Sequence, residues 1–196
     1  MSRVLGLLLA AGAGRRMGTP KALLHDEQGH SFLQRSVAAL RDGGCEDVLV
    51  VLGAEAERAR SLLDETVSVV VADDWAEGMG ASLRAGLTAA SDTDASCAVI
   101  SLVDLPDVDG PVVSRVLDRV APGREALGRA AYDGVPGHPV LIGRDHWAGV
   151  VATAKGDRGA RDYLREHPPL EVECGDLATG RDVDTPHALR EGLPRG

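Results

Sequence analysis

Lysine is nearly missing from this chain. Of the 21 lysine and arginine residues in 196, only Lys21 and Lys155 are lysines, and 30 acids bring the formal net charge to −9. That balance excludes a protein that coats DNA or RNA, which must neutralise many phosphates with a basic surface. It leaves room for a small phosphorylated ligand, which needs only a local cationic pocket. Cysteine is scarce too: Cys45, Cys97 and Cys174 lie far apart and form no CxxC pair. A disulfide framework and a structural zinc site are therefore not expected; buried filler is the expected role of each, and a reducing cytoplasm the expected compartment. His25, His30, His146, His167 and His187 lack metal-ligand spacing and suit surface or capping roles. Long apolar runs are also absent, so no membrane-spanning helix is expected. The segment 3–11 has the outline of a secretory signal. Its apolar run is brief, however, a Gly- and Arg-rich loop follows directly, and cleavage would remove what reads as the first strand.

What remains is an ordinary globular composition, 44% apolar with mixed charge, at a length that suits one domain over 1–196. Segments 3–10, 47–52, 67–71 and 98–102 are short, rich in Val and Leu and bounded by turn residues, as strands are. Between them, 32–41 places Leu33, Val37 and Leu40 at helical spacing before Gly43-Gly44, and 55–63 and 82–90 read as helices as well. Alternating strand and helix predicts an α/β fold with a parallel sheet covered on both faces. Beyond Pro111, 112–120 is helical, and 125–133 and 139–143 read as strands around a turn at 134–137, an added antiparallel element. Ligands of open α/β sheets sit beyond the carboxyl ends of the strands, so the loops after each strand are where a site belongs.

The loop after the first strand reads Gly12-Ala13-Gly14-Arg15-Arg16-Met17-Gly18-Thr19-Pro20-Lys21. A dinucleotide fingerprint fails, because Met17 occupies the third glycine position and no acid ends the second strand. A P-loop fails as well, because Thr19-Pro20 separates Gly18 from Lys21 and Ala22 follows the lysine. The third reading is a glycine loop whose N–H groups approach a triphosphate, with Arg16 and Lys21 supplying charge; the alternative is a turn carrying two solvated cations.

Leu9-Ala10-Ala11-Gly12, Arg16-Met17-Gly18 and Lys21 together resemble the signature of nucleotidyltransferases of the molybdenum cofactor type, the MobA-like NTP transferases. Segments 77–87, 102–106 around Asp104, 137–139, 156–161 and Asp182-Val183-Asp184-Thr185-Pro186 resemble the same family, so the likeness covers nearly the whole chain. The resemblance implies a three-layer, Rossmann-like nucleotidyltransferase domain with a mostly parallel central sheet. It also implies Mg²⁺-dependent transfer of a nucleoside monophosphate from an NTP, CTP or GTP, to a phosphorylated acceptor such as the molybdopterin cofactor, releasing pyrophosphate. Ala10-Ala11-Gly12 is more similar to the cytidylyltransferase branch than to the guanylyltransferase branch, which favours CTP.

The resemblance distributes the residues as follows. Leu9, Ala10, Ala11, Gly12, Arg16, Lys21, Gly80, Ser82 and Asp104 bind the nucleotide. Arg16, Lys21 and Asp104 carry the chemistry, and Asp104 and Asp184 hold the metal, with Asp182 an alternative to Asp184. His138, Arg158 and Arg161 face the acceptor. Each has a plainer reading: Asp104 as a turn carboxylate, Asp184 and Ser82 as helix N-caps, Arg158 and Arg161 as a solvated helix end with a local ion pair. Two other functions compete. The acceptor could be a sugar phosphate or an isoprenoid-precursor phosphate. Some proteins resembling this family are described as reductases of nicotine-derived pigments, which would make the chain an NAD(P)H oxidoreductase. A silent nucleotide-binding regulator is a third class.

Overall fold

The first strand explains the architecture. Strand β1 (Val4–Ala10) is buried along its whole length and sends alternate side chains into two separate cores. Leu5, Leu7 and Leu9 enter one, and Val4, Leu8 and Ala10 the other. A strand apolar on both faces belongs inside a sheet with helices above and below. The structure, a computed structural model, describes residues 2–15, 17–26 and 29–182. Arg16 and Asp184, with the helix start that Asp184 would cap, lie outside the described residues.

Strands β2 (Asp47–Leu52), β3 (Ser68–Val71) and β4 (Cys97–Leu102) join β1 in parallel, and β5 (Leu127–Tyr132), β6 (Val135–Gly143) and β7 (Leu170–Glu173) extend the sheet. The order is β3-β2-β1-β4-β6-β5-β7, with only β6 antiparallel to its neighbours. Helices α1 (Phe32–Asp42) and α4 (Gly110–Val120) cover one face through Leu33, Leu40, Val113 and Val116; α3 (Met79–Ala90) and α5 (Arg144–Thr153) cover the other through Leu83, Leu87, Trp147 and Val150. The expected three-layer α/β fold with a mostly parallel sheet is therefore what forms. Truncating a fully buried centre such as Leu7 or Leu8 to Ala costs about 2–5 kcal/mol at sites of this kind. None of the described helices is long and apolar enough to cross a membrane.

Three boundaries depart from the sequence reading. The helix expected over 55–63 shrinks to α2 (Ala56–Arg60), because only Ala59 is buried and one contact holds little helix. The turn expected over 134–137 is tighter: Asp133 (φ 52°) and Gly134 (φ 76°) make a two-residue reversal, so β6 starts at Val135. Helix α3 begins at Met79 after Gly78, which moves Ser82 into its first turn and removes the N-cap role.

The topology fixes where a ligand goes. From β1 the chain winds outward through β2 and β3, then returns to β4 on the other side of β1. The crevice beyond the carboxyl ends of β1 and β4 is the switch point.

Candidate active site

A cavity of about 230 Å³ opens at that crevice. On the β1 side it is lined by Leu9, Ala10, Ala11, Gly12 and Gly14, and on the β4 side by Leu102, Val103 and Asp104. The glycine loop closes on itself. The Gly14 carbonyl accepts N–H groups from Met17 (2.8 Å) and Gly18 (2.9 Å). Gly14 has φ +59°, and a Cβ there would stand 1.8 Å from the Thr19 oxygen, so only glycine fits. At Gly12 an added Cβ would meet nothing within 4 Å: this glycine keeps backbone exposed to open space in the crevice.

Lys21 follows the buried Pro20 and opens a single 3-10 turn, Lys21–Leu23, which carries its side chain back across the cavity. Its Nζ donates to Asp104 Oδ2 at 2.7 Å, with the two side chains 16% and 18% exposed. Asp104 is held at the strand end because the Val103 N–H donates to Leu9 O (3.2 Å). The other oxygen, Asp104 Oδ1, is buried and has no hydrogen-bond partner. A buried acceptor without a donor is costly and marks a place where a ligand completes the contact. The donor is a hard carboxylate oxygen, which suits Mg²⁺. No cluster of three or more His, Cys, Asp or Glu able to hold a metal occurs among the described residues. Mg²⁺ takes one or two carboxylates and completes its shell with substrate phosphates and water. Asp182, at the end of the described chain, is exposed.

The far wall comes from the turn over 75–78, the start of α3 and the turn before α6 (Arg161–Glu166): Trp75, Gly78, Met79, Ser82 and Asp157. Ser82 is 5% exposed. Gly80 stands outside the lining; a Cβ on it would lie 2.8 Å from the Lys155 nitrogen, so it serves close packing of α3 on the 154–155 backbone. Trp75 and Asp157 were missed in the sequence, whereas Gly78 and Met79 fall within the 77–87 segment. Trp75 lies just outside the matched 77–87 segment, and an acid beside an arginine in Gly156-Asp157-Arg158 reads as a surface pair.

His138 lies on β6, its carbonyl accepting from Tyr132 Oη at 2.6 Å. Loss of solvent around the ring pushes its pKa down to about 4; Asp104 opposes the shift, and Arg129 and Arg161 reinforce it. The imidazole is thus neutral at neutral pH and lies in the field of Asp104. Arg158 is exposed and pairs with Asp162 at 3.2 Å, the plainer outcome foreseen for it; the cavity takes Asp157 from this turn instead. Arg161 is exposed at the start of a six-residue helix.

Below the site, the Asp26 carboxylate is wholly buried. Burial works against its charge, but the His30 N–H (2.8 Å) and Arg35 Nη1 (2.8 Å) outweigh it and hold the acid below the usual carboxylate range. Arg35 also donates to Pro106 O (3.0 Å), tying the start of α1 to the loop that carries Asp104.

A glycine loop, a lysine and a strand-end carboxylate thus meet at the switch point of an α/β sheet. Residues 6–172 match the model of the MobA-like NTP transferase domain, and the chain belongs to that family of nucleotidyltransferases. Among its relatives, a protein named nicotine blue oxidoreductase from Paenarthrobacter nicotinovorans is 40% identical over 194 residues, covering 93% of this chain and 92% of that one. A probable molybdenum cofactor guanylyltransferase of Rhodopirellula baltica is 38% identical over 105 residues, 54% of this chain and 50% of its own length. Among solved structures, Rv0371c of Mycobacterium tuberculosis superposes with a TM-score of 0.81 at 28% identity, covering 97% of both chains. Its complex with manganese gives a TM-score of 0.78 at 27% identity, over the full length of both.

Proposed function

We propose that this chain transfers a nucleoside monophosphate from an NTP to a phosphorylated acceptor, with Mg²⁺ as the cofactor, CTP the favoured nucleotide and a molybdopterin cofactor the acceptor. The observation that carries the reading is the Lys21–Asp104 pair at the mouth of the glycine loop, with Asp104 Oδ1 buried and unsatisfied. Asp104 would hold the metal through that oxygen, joined by Asp184 or Asp182. When bound, Mg²⁺ neutralises phosphate charge and acts as a Lewis acid. A complex with manganese is known for the Mycobacterium tuberculosis relative, which supports a divalent ion as the cofactor.

The chain's own residues supply the rest. Gly12 exposes backbone to the triphosphate, and Lys21 and Arg16 bear on charge gathering at the α-phosphoryl oxygens. The acceptor's phosphate oxygen attacks the α-phosphorus, a new P–O bond forms in line, and pyrophosphate departs with the electron pair of the broken bond. A phosphate monoester is already ionised near neutral pH, so no general base is required. Ala10 and Ala11 of the loop support CTP over GTP. The three buried, unpaired cysteines suit a reducing cytoplasm.

A second reading has a specific observation behind it: the relative that matches this chain over nearly its full length is named as an oxidoreductase. Against it stand the failed dinucleotide fingerprint and a metal-type carboxylate where hydride transfer needs none. Purified protein incubated with Mg²⁺, CTP or GTP and molybdopterin should release pyrophosphate. Oxidation of NAD(P)H without pyrophosphate release would establish the rival.

A further inference from the structure

The ladder between β5 and β6 breaks beside the active site. Arg129 pairs with Val140 and Ala131 pairs with Pro136, so three residues of β6, 137–139, stand opposite Ala130 alone. Bulges of this kind re-aim a side chain, and they recur next to active sites. Here the bulged residue is His138, pinned through its carbonyl by Tyr132 Oη. Its imidazole lies in the joint field of Asp104, Arg129 and Arg161.

Arg129 is the unexplained member of this group. Its partner directly across the ladder on β7 is Glu171, whose Oε1 accepts from Nη2 at 2.6 Å and fixes the guanidinium. The Nε–H of the same guanidinium is buried and has no acceptor. A cation immobilised at one end with an idle, desolvated donor at the other is prepared for an oxyanion, because hydrogen bonds between charged groups are the strong ones. The three buried side-chain atoms left unsatisfied among the described residues are Asp104 Oδ1, Asp107 Oδ1 and this Nε. One belongs to Asp104 and another to Arg129, the last residue of β5 in register before the ladder breaks.

We propose that Arg129, through its Nε–H and with His138 and Arg161 beside it, binds a phosphate monoester group of the acceptor. The proposal rests on the transfer reading for the word acceptor, while the anion subsite itself is independent of turnover. It sets beside Arg158, an exposed arginine paired with Asp162, a residue held on a strand.

The test uses the full chain labelled with ¹⁵N and observes arginine Nε–H resonances during titration with inorganic phosphate. The Arg129 signal, assigned by its loss in Arg129→Lys, should move saturably. Arg129→Lys keeps a cation facing Glu171 but removes the Nε–H, and should weaken phosphate binding about tenfold, the loss of roughly one charge-assisted hydrogen bond. Arg158→Gln should leave the response unchanged. The response should also persist in Lys21→Met, which separates this subsite from the triphosphate loop. An Arg129 signal that stays still under phosphate, or a response that vanishes in Lys21→Met, overturns the proposal even if the protein releases pyrophosphate from CTP. A saturable response in a protein that releases no pyrophosphate from any NTP keeps the anion subsite and overturns the transfer reading instead.

Discussion

Replacing Lys21 by Met separates the two jobs assigned to the Lys21–Asp104 pair. The ammonium lies 2.7 Å from Asp104 Oδ2, with both side chains about five-sixths shielded from water. A hydrogen bond between charged groups at such a site contributes about 1.5–3 kcal/mol. A metal ion on Asp104 Oδ1 in the absence of nucleotide shares the carboxylate with that ammonium and is opposed by its charge. Removing the ammonium should therefore tighten metal binding by roughly ten- to a hundredfold, as that energy converts to affinity. Turnover should move the opposite way and fall roughly 10²–10³-fold, the usual loss when one electrostatic stabiliser of the transition state is removed. Mn²⁺, followed by its free-ion EPR signal during titration of nucleotide-free protein, reads the first effect, and pyrophosphate release reads the second. Unchanged or weaker Mn²⁺ binding in Lys21→Met would refute the assignment of Asp104 as the metal carboxylate. Unchanged turnover would refute the role of the lysine.

Asp104→Asn should abolish Mg²⁺-dependent turnover while the fold stays intact, because the amide keeps the side chain's shape and still offers Lys21 an oxygen; the lost charge lowers the melting temperature by a few degrees, and circular dichroism and the pyrophosphate assay check both halves. Gly14→Ala forces a Cβ to within 1.8 Å of the Thr19 oxygen at φ +59°, so the loop must open. It should raise KM for the NTP and cost more than the ~1 kcal/mol of an ordinary left-handed alanine, read from urea midpoints. His138 carries a pH signature. Its folded pKa of about 4 lies below the ordinary 6.5, so as pH falls through 6.5 the unfolded chain takes up a proton that the folded chain refuses. Stability present above pH 6.5 is lost down to about pH 4, by about 3 kcal/mol at most, and His138→Gln should flatten that part of the curve. Asp26→Ala removes the buried acceptor of Arg35, whose own side chain is 39% exposed, and should destabilise the fold by about 1.5–3 kcal/mol, lowering the urea midpoint.

The sheet was legible where burial leaves a strong mark. Strands β1, β2 and β4 are buried on both faces and read as unbroken apolar runs. Strand β7 buries only Val172 of its four residues, and α5 buries only Trp147 and Val150, so neither shows a period to find. The residues proposed for the nucleotide stood out because glycines and a lone lysine at set spacings have few other uses. Of these residues, Leu9 through Gly12, Lys21, Ser82 and Asp104 line one cavity, whereas Gly80 stands behind it. The opposite wall was not readable, since Trp75 and Asp157 come from separate turns that only the packing of α3 brings together. Arg129 was hidden for a different reason. Its meaning depends on a break in the β5–β6 ladder and an acid on a third strand, and neither leaves a local pattern.

The central claim is that this site moves a nucleotidyl group. The direct measurement is a paired assay on one preparation: pyrophosphate release from CTP and GTP with Mg²⁺ and molybdopterin, beside NAD(P)H oxidation with a nicotine-derived pigment. The account predicts pyrophosphate release that requires Mg²⁺ and disappears in Asp104→Asn, with no oxidation of NAD(P)H. Steady NAD(P)H oxidation, with no pyrophosphate from either nucleotide, would contradict it.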